Sequence, residues 1–194
     1  MLPTLMMIEI AASLLALVYL ILATMQQRLC WVFSFVSALL FVPVFWSNSM
    51  PLFTVLQFYF AGMAIYGWVT WAGGDDKPEL PVQTLTRGQN GLVLVILAAL
   101  IIETLVVMYV FMDSATPLWL AGIDSTSTWA SIAAMALTAR KYLESWLLWL
   151  FLVNLPLVVS CVLTGLFPTA ALYAAYAVMS VFGYFRWRGS LASA

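Results

Sequence analysis

Seven apolar segments, each about as long as a membrane-spanning helix, divide the sequence, and short polar stretches separate them. An α-helix rises about 1.5 Å per residue, so roughly 20 apolar residues cross a hydrocarbon core of ~30 Å. The segments lie at residues 7–24, 30–46, 52–71, 91–112, 118–139, 142–163 and 169–187. The pattern predicts an all-α membrane protein with seven transmembrane helices in a single membrane domain, residues 1–194.

The third segment, LFTVLQFYFAGMAIYGWVTW, carries polar and aromatic positions at helical spacing. Gln57, Ala61, Ala64, Trp68 and Trp71 fall along one stripe of a helix. Small residues allow close helix packing and tryptophans anchor helices at the membrane surface, so the stripe is explained by packing. The alternative is a ligand groove, because an amide facing lipid would lack a partner.

The fifth segment is the most polar of the seven. Its helical spacing places Asp124, Thr128, Ser131, Met135 and Thr138 on one face. Asp124 either stabilises the start of the helix or faces a polar interior, because a charge inside a membrane costs a few kcal/mol. The hydroxyl groups that follow it favour a lined cavity.

The sixth segment holds Asn154 at mid-depth, followed by Pro156, with Trp146 and Trp149 nearer one end. Proline removes a backbone hydrogen bond and kinks a helix. Asn154 therefore either bonds the carbonyl that Pro156 frees or a neighbouring helix, or it binds a ligand.

Three further polar positions lie inside apolar segments. We expect Ser34 and Ser37 to bond back to their own helix. Glu103 has no partner evident in the sequence, so we expect it to be neutral or buried in the bundle.

The charged residues indicate an orientation. Every Lys and Arg follows the first, third, fifth or seventh segment: Arg28, Lys77, Arg87, Arg140, Lys141, Arg186 and Arg188. By the positive-inside rule that side is cytoplasmic, which places the N-terminus outside and the C-terminus inside. Residues 73–90, rich in glycine, proline and acidic residues, then form a cytoplasmic loop. The first segment has no basic start or clear cleavage site, so we expect it to remain as a span.

The composition supports a membrane protein and excludes much chemistry. The chain is 65% hydrophobic and 8% charged, has a net charge of −1 and contains no histidine. We therefore expect no nucleic-acid surface, no metal, no cofactor and no enzymatic activity, and we find no phosphate-binding loop. Tryptophans and neutral polar groups suit a flat, uncharged or weakly cationic solute, whereas a phosphorylated one would require arginines.

The ends of the third and seventh segments are similar. Gly67 and Trp71 recur 116 residues later as Gly183 and Trp187, and Gln57 then corresponds to Tyr173. If this is not chance, two three-helix repeats (7–72 and 118–187) are joined by a connecting helix (91–112). This 3+1+3 parallel repeat is that of SWEET-type transporters, with the substrate between the repeats near the midplane.

Several segments resemble the PnuC family of nicotinamide riboside transporters. The resemblance rests on LQFYFAGMAIYGWVTW, on the stretch from Asp124 through ARKYLESWLLW to Asn154, and on Gly165 through Tyr173. It implies a SWEET-like bundle in the bacterial inner membrane. It also implies facilitated diffusion of an unphosphorylated vitamin, which a cytoplasmic kinase then traps by phosphorylation.

The resemblance also assigns residues to the substrate. Those at matching positions are Gln57, Trp68, Trp71, Trp146, Trp149, Asn154 and Tyr173. Ser37 stands where many members have asparagine, Met135 where many have glutamine, and the spacing from Trp149 to Asn154 is one residue longer than usual. Thiamine or riboflavin are therefore alternative substrates. A scaffold that transports nothing is the alternative of another class, and the sequence leaves a homo-oligomer open.

Overall fold

Seven helices account for nearly all of the chain that the structure describes. It is a computed structural model, and the described residues are 3–48, 51–72, 80–111 and 115–191. The first five helices are α1 (Pro3–Thr24), α2 (Cys30–Ser47), α3 (Pro51–Thr70), α4 (Arg87–Val106, continued as a π-helix over Val107–Phe111) and α5 (Leu118–Ala139). The last two are α6 (Ser145–Leu163) and α7 (Phe167–Leu191). The all-helical prediction is confirmed.

The helix α6 changes its winding in the middle. It is α-helical over Ser145–Leu148, π-helical over Trp149–Asn154 and α-helical again over Leu155–Leu163. A π-helical turn takes one residue more than an α-helical turn and occurs often at functional sites. Pro156 is the second residue of the α-helical stretch that follows, and it lacks the backbone N–H that a regular helix would use there.

The start of α4 shows how the sequence ends the preceding loop. Thr86 accepts a hydrogen bond from the Gln89 backbone N–H at 3.3 Å, and the Gln89 side chain accepts one from the Thr86 N–H at 2.9 Å. This capping box contributes about 1 kcal/mol and places the start of α4 at Arg87. The predicted loop 73–90 lies partly outside the described residues, Lys77 included.

The protein is a multi-pass membrane protein. Within the described residues, four stretches are long and apolar enough to cross a membrane: Thr4–Thr24, Cys30–Ser47, Arg87–Val110 and Ser145–Leu163. Large apolar side chains are exposed along these helices, for example Ile10 and Leu14 on α1 and Leu92 and Val95 on α4. Such faces match a hydrocarbon solvent rather than water.

The chain divides into two compact units. Unit 1 comprises Met1–Pro81 with Ala139–Lys141, and unit 2 comprises Val82–Thr138 with Tyr142–Ala194. In unit 1, α2 packs against both α1 and α3. In unit 2, α6 packs along α7, and a hydrophobic core of Leu97, Ala134 and Leu148 joins α4, α5 and α6.

The structure contradicts the expectation for Ser37 and one of the two alternatives for Glu103. The Ser37 hydroxyl donates 2.8 Å to the carbonyl of Ala12 on α1, because small residues bring the two helices close, and so it does not bond back to α2. Glu103 is exposed on α4 rather than buried in the bundle. The preceding Ile102 is 61% exposed, so this face of α4 turns outward from the protein.

Candidate functional site

The predicted stripe of α3 is buried over most of its length. Gln57 is 7% exposed, and Ala61, Ala64 and Trp71 are also buried. Trp68 is only half-buried. The buried stripe therefore continues through the last turn of α3 to Trp71, while Trp68 lies at its edge.

Trp71 belongs to a cluster with Trp31 and Gly67, the first tryptophan cluster. The rings of Trp31 and Trp71 meet edge to face, with centroids 5.2 Å apart and planes at 85°. A Cβ on Gly67 would lie 2.2 Å from the Trp31 ring, so only glycine allows this approach. The indole N–H of Trp71 donates to the Ala139 carbonyl at 3.0 Å.

A second tryptophan cluster in unit 2 has the same construction. Trp146 and Trp187 meet edge to face at 5.3 Å and 88°, and a Cβ on Gly183 would lie 2.7 Å from the Trp146 ring. Trp31 and Trp146, at the centres of the two clusters, are each 1% exposed. Among the described residues, neither indole N–H has a hydrogen-bond partner.

The chain enters both clusters in the same way. Gln26 and Lys141, five residues before Trp31 and Trp146, both have a positive φ, 57° and 54°. This conformation is uncommon for residues other than glycine. The N–H of Trp31 then bonds the carbonyl of Arg28 at 3.1 Å, and that of Trp146 bonds the carbonyl of Leu143 at 3.2 Å.

Trp68 contacts a cation. The Arg28 guanidinium lies over its ring, 3.8 Å from the centroid, and the Arg28 Nε donates 2.8 Å to the Trp68 carbonyl. Lys141 is buried within unit 1, with its Nζ 4.7 Å from the Trp71 ring centroid. Both tryptophans of the IYGWVTW stretch therefore have a positive charge on a ring face.

The π-helical turn of α6 carries two predicted site residues, Trp149 and Asn154. Asn154 is 4% exposed, and its side-chain amide donates to the Ser180 hydroxyl on α7 at 3.2 Å. Ser180 in turn donates to the Tyr176 carbonyl at 2.9 Å. The indole N–H of Trp149 donates to the Thr138 hydroxyl at 3.3 Å. The longer spacing between Trp149 and Asn154 thus coincides with the extra residue of a π-turn.

The predicted polar face of α5 is only partly buried. Ser131 is buried, but its hydroxyl bonds back to the Ser127 carbonyl at 2.6 Å. Thr138 is buried beside Trp149, Thr128 is half-buried and Asp124 is exposed. Asp124 is the seventh residue of α5, and the first turn of α5 has no acidic residue, so Asp124 does not stabilise the start of the helix. Its exposed side chain is not buried in a polar interior.

Tyr173 on α7 interacts with its neighbour Tyr176 and with Asp124 of α5. The rings of Tyr173 and Tyr176 on α7 meet edge to face at 6.1 Å. Asp124 and Cys161 both lie close enough to Tyr173 to interact with it electrostatically. In unit 2, Asp124 therefore interacts electrostatically with Tyr173 of α7, and Asn154 bonds Ser180 of the same helix.

Three functional candidates were missed by sequence reasoning. Trp31 and Ser180 lie in apolar runs that give no local signal, and the sequence shows Arg28 only as a positive charge between two apolar segments. The similarity between Gly67–Trp71 and Gly183–Trp187 could have led to Trp31, because each cluster needs a central ring. Among the described residues there is no group of three or more Cys, Asp or Glu side chains that could hold a metal ion.

The comparisons with known proteins agree with one another. Residues 6–189 match the sequence model of a family described as nicotinamide mononucleotide transporter. The chain is 27% identical over 209 residues to the nicotinamide riboside transporter PnuC of Escherichia coli (strain K12), covering 94% of this chain and 85% of that protein. The same figures hold for PnuC of Shigella flexneri. The crystal structure of the vitamin B3 transporter PnuC superposes with a TM-score of 0.74 at 19% identity, covering 96% of this chain and 82% of the other.

Proposed function

Since the chain belongs to the nicotinamide mononucleotide transporter family, that of PnuC, we propose that it carries nicotinamide riboside across the bacterial inner membrane by facilitated diffusion. The names within the family differ by a phosphate group. Which of the two solutes the chain accepts therefore depends on its own residues.

The proposal of nicotinamide riboside over nicotinamide mononucleotide rests on the neutral polar groups in the helices. Asn154 and Gln57 are buried amides, and the partner of Asn154 is the Ser180 hydroxyl. In the parts of the chain that the structure describes, the Arg and Lys side chains lie at helix ends or in loops and none lies in mid-helix. A phosphate dianion requires charge-assisted hydrogen bonds, typically from arginine, whereas a ribose with hydroxyls and a carboxamide requires amide and hydroxyl partners.

We assign the substrate contacts to seven of the predicted site residues. In unit 1, we propose that the Gln57 amide bonds the carboxamide or the ribose hydroxyls and that Trp68 packs on the flat ring. In unit 2, we propose the same two roles for Asn154 and Trp149, and we propose that Tyr173, Thr128 and Ser131 line the path. Aromatic faces attract a pyridinium cation by about 0.5–2 kcal/mol each. The side chains with this role are Gln57, Trp68, Thr128, Ser131, Trp149, Asn154 and Tyr173.

The other three predicted site residues receive supporting roles. Trp71 and Trp146 are almost fully buried in the tryptophan clusters, so we propose that they fix the helices that carry Trp68 and Trp149. Asp124 is exposed and lies near Tyr173, so we propose that it attracts the cationic solute before it binds.

The proposed mechanism is uncoupled uptake followed by trapping. The described acidic residues within the membrane helices, Glu9, Glu103 and Asp124, are partly or fully exposed, which leaves no buried carboxylate there to hold a coupling proton or sodium ion. Phosphorylation by a cytoplasmic kinase would prevent the product from returning. We propose that the chain itself catalyses no reaction.

The two matching tryptophan clusters support a 3+1+3 repeat of SWEET type for the proposed transporter. In that arrangement 7–72 and 118–187 are the repeats and 91–112 connects them. Arg28 follows α1, Arg87 begins α4, Arg140 and Lys141 follow α5, and Arg186 and Arg188 lie near the C-terminal end of α7. This distribution supports an external N-terminus and an internal C-terminus. A homo-oligomer is compatible with this proposal but not required by it.

Thiamine and riboflavin gain no support from the two unusual positions. The Ser37 hydroxyl donates a hydrogen bond to the Ala12 carbonyl, and Met135 is a buried residue of α5. Both positions are therefore explained by helix packing.

Calorimetry on the purified protein tests the proposal. We expect nicotinamide riboside to bind at micromolar to millimolar concentrations and nicotinamide mononucleotide to bind at least about tenfold more weakly, since a buried unpaired phosphate costs several kcal/mol. Thiamine and riboflavin are measured beside them as the alternative substrates. Equal binding of the mononucleotide would contradict the substrate assignment. If none of the four binds, the scaffold alternative is favoured.

A further inference from the structure

Arg28 holds Trp68 at two points. Its Nε donates a 2.8 Å hydrogen bond to the Trp68 carbonyl, and its guanidinium carbon lies 3.8 Å from the centroid of the same residue's ring. Arg28 lies in the loop between α1 and α2, 40 residues away in the chain from Trp68 in the last turn of α3. Both side chains are half-buried.

Each of the two contacts restricts Trp68 in a different way. The hydrogen bond satisfies a carbonyl of the last turn of α3, which has no partner within its own helix, and adds a positive charge at the negative end of the helix dipole. The planar guanidinium covers one face of the indole, so the ring loses freedom about its side-chain torsions. The half-buried Trp68 ring is then held in a fixed orientation.

The neighbouring cations do not hold their rings in this way. Arg140 is exposed, lies 6.0 Å from the Tyr66 ring centroid and donates from its Nε to the Tyr66 hydroxyl at 3.2 Å. The Nζ of Lys141 lies 4.7 Å from the Trp71 ring, but that ring is already fixed against Trp31.

At the corresponding described positions, the second tryptophan cluster also lacks an arginine contact of this kind. At the offsets that relate the two tryptophan clusters, Arg28 corresponds to Leu143 and Trp68 to Tyr184. The contact is therefore not part of the packing that both clusters share, which points to a role specific to the Trp68 ring.

We propose that Arg28 is a positioning residue for the substrate: it holds Trp68 in the orientation in which the free face of the indole packs on the pyridinium ring. The inference rests on the proposed role of Trp68 as a substrate contact. It makes a prediction opposite to simple electrostatics, because removing a positive charge near a cationic substrate would by itself strengthen binding.

A double-mutant cycle with nicotinamide riboside as the probe tests the inference. In full-length protein, Arg28→Ala is expected to weaken binding by about three- to tenfold when Trp68 is present, and by less than about twofold in a Trp68→Ala background. Arg28→Lys keeps the charge but loses the planar stack and the Nε donor, so it should recover only part of the loss.

Arg140→Ala is the matched control, because it removes the same charge from unit 1 without touching the proposed ring contact. The affinity of this variant for nicotinamide riboside is expected to stay within about twofold of the wild type or to become tighter. Thermal unfolding of each variant separates folding from binding. Should Arg28→Ala yield too little folded protein, the same cycle is measured with Arg28→Lys, for which we expect about a two- to threefold loss that vanishes without Trp68.

Equal losses in both backgrounds would overturn the inference and assign Arg28 to general stability. Unchanged or tighter binding in Arg28→Ala, together with a loss in Trp68→Ala, would overturn it as well. In both cases the wild type still binds, so the proposed function stands. A wild-type protein that binds no nicotinamide riboside would instead overturn the proposed function, and the inference with it.

Discussion

The two tryptophan clusters share their packing and differ in their surroundings. Trp31 meets Trp71 at 5.2 Å and Trp146 meets Trp187 at 5.3 Å, each over a glycine of a neighbouring helix. Around the first cluster lie the cations of unit 1, whereas the second cluster is followed by the π-helical turn that ends at Asn154. The shared part of the two regions fixes helices, and the parts that differ are where we place substrate recognition.

The largest effect is expected where the shared packing is closest. Gly67→Ala would place a Cβ 2.2 Å from the Trp31 ring, so we expect it to destabilise the fold by about 3 kcal/mol, lowering the unfolding temperature by about 10 °C. Gly183→Ala, at 2.7 Å, should have the same sign and a smaller size.

The control for this prediction lies on the same helix. A Cβ on Gly62 would meet no neighbouring atom within 4 Å, so Gly62→Ala should leave stability unchanged or raise it by up to about 1 kcal/mol through helix propensity. Thermal unfolding in detergent measures all three variants. Equal melting of Gly67→Ala and Gly62→Ala would remove the packing role from the first cluster.

The second prediction concerns the region that only unit 2 has. Asn154→Ala should weaken nicotinamide riboside binding about tenfold, since it removes the proposed hydrogen bonds to the substrate. Ser180→Ala keeps the amide and removes only its hydroxyl partner, so about a twofold loss is expected. Calorimetry on both variants compares them, and equal losses would indicate that Asn154 acts only as a bond between α6 and α7.

The sequence predicted the helices well because membrane-spanning segments are long and apolar. The predicted segment 118–139 matches α5, and 30–46 misses only the last residue of α2. The sequence showed the clusters only at the ends of α3 and α7, since no repeated pattern distinguishes Trp31 from the other aromatic residues of the apolar segments.

Two features of the candidate site could not be predicted from the sequence. The π-turn depends on which carbonyl each N–H reaches, and residue types do not encode this choice; only the longer spacing from Trp149 to Asn154 pointed to it. Arg28 lies in the loop before α2, and its partner Trp68 lies on α3. Their contact therefore depends on the packing of α2 against α3 and not on any local motif.

A smaller effect is expected from an interhelical bond outside both clusters. Ser37→Ala removes the hydrogen bond to the Ala12 carbonyl, so it should lower the free energy of unfolding by about 1 kcal/mol and leave the preference for nicotinamide riboside over thiamine unchanged. Thermal unfolding and competition binding measure the two quantities. A changed preference between the two vitamins would indicate that Ser37 contacts the substrate.

The smallest effect is expected at Asp124. Because this carboxylate is exposed, Asp124→Asn should slow uptake of the cationic solute by about twofold at low salt and by less at high salt, where the charge is screened. Initial rates in proteoliposomes at two ionic strengths measure this. A loss that is independent of salt would place Asp124 in direct contact with the bound substrate.

Counterflow in proteoliposomes tests the central claim most directly. Vesicles containing the purified protein are loaded with unlabelled nicotinamide riboside and diluted into labelled nicotinamide riboside, with no ion gradient. We expect transient accumulation of label that excess outside nicotinamide riboside abolishes and that nicotinamide mononucleotide leaves largely unchanged. No accumulation, or accumulation that the mononucleotide inhibits equally well, would contradict an uncoupled carrier for the unphosphorylated riboside.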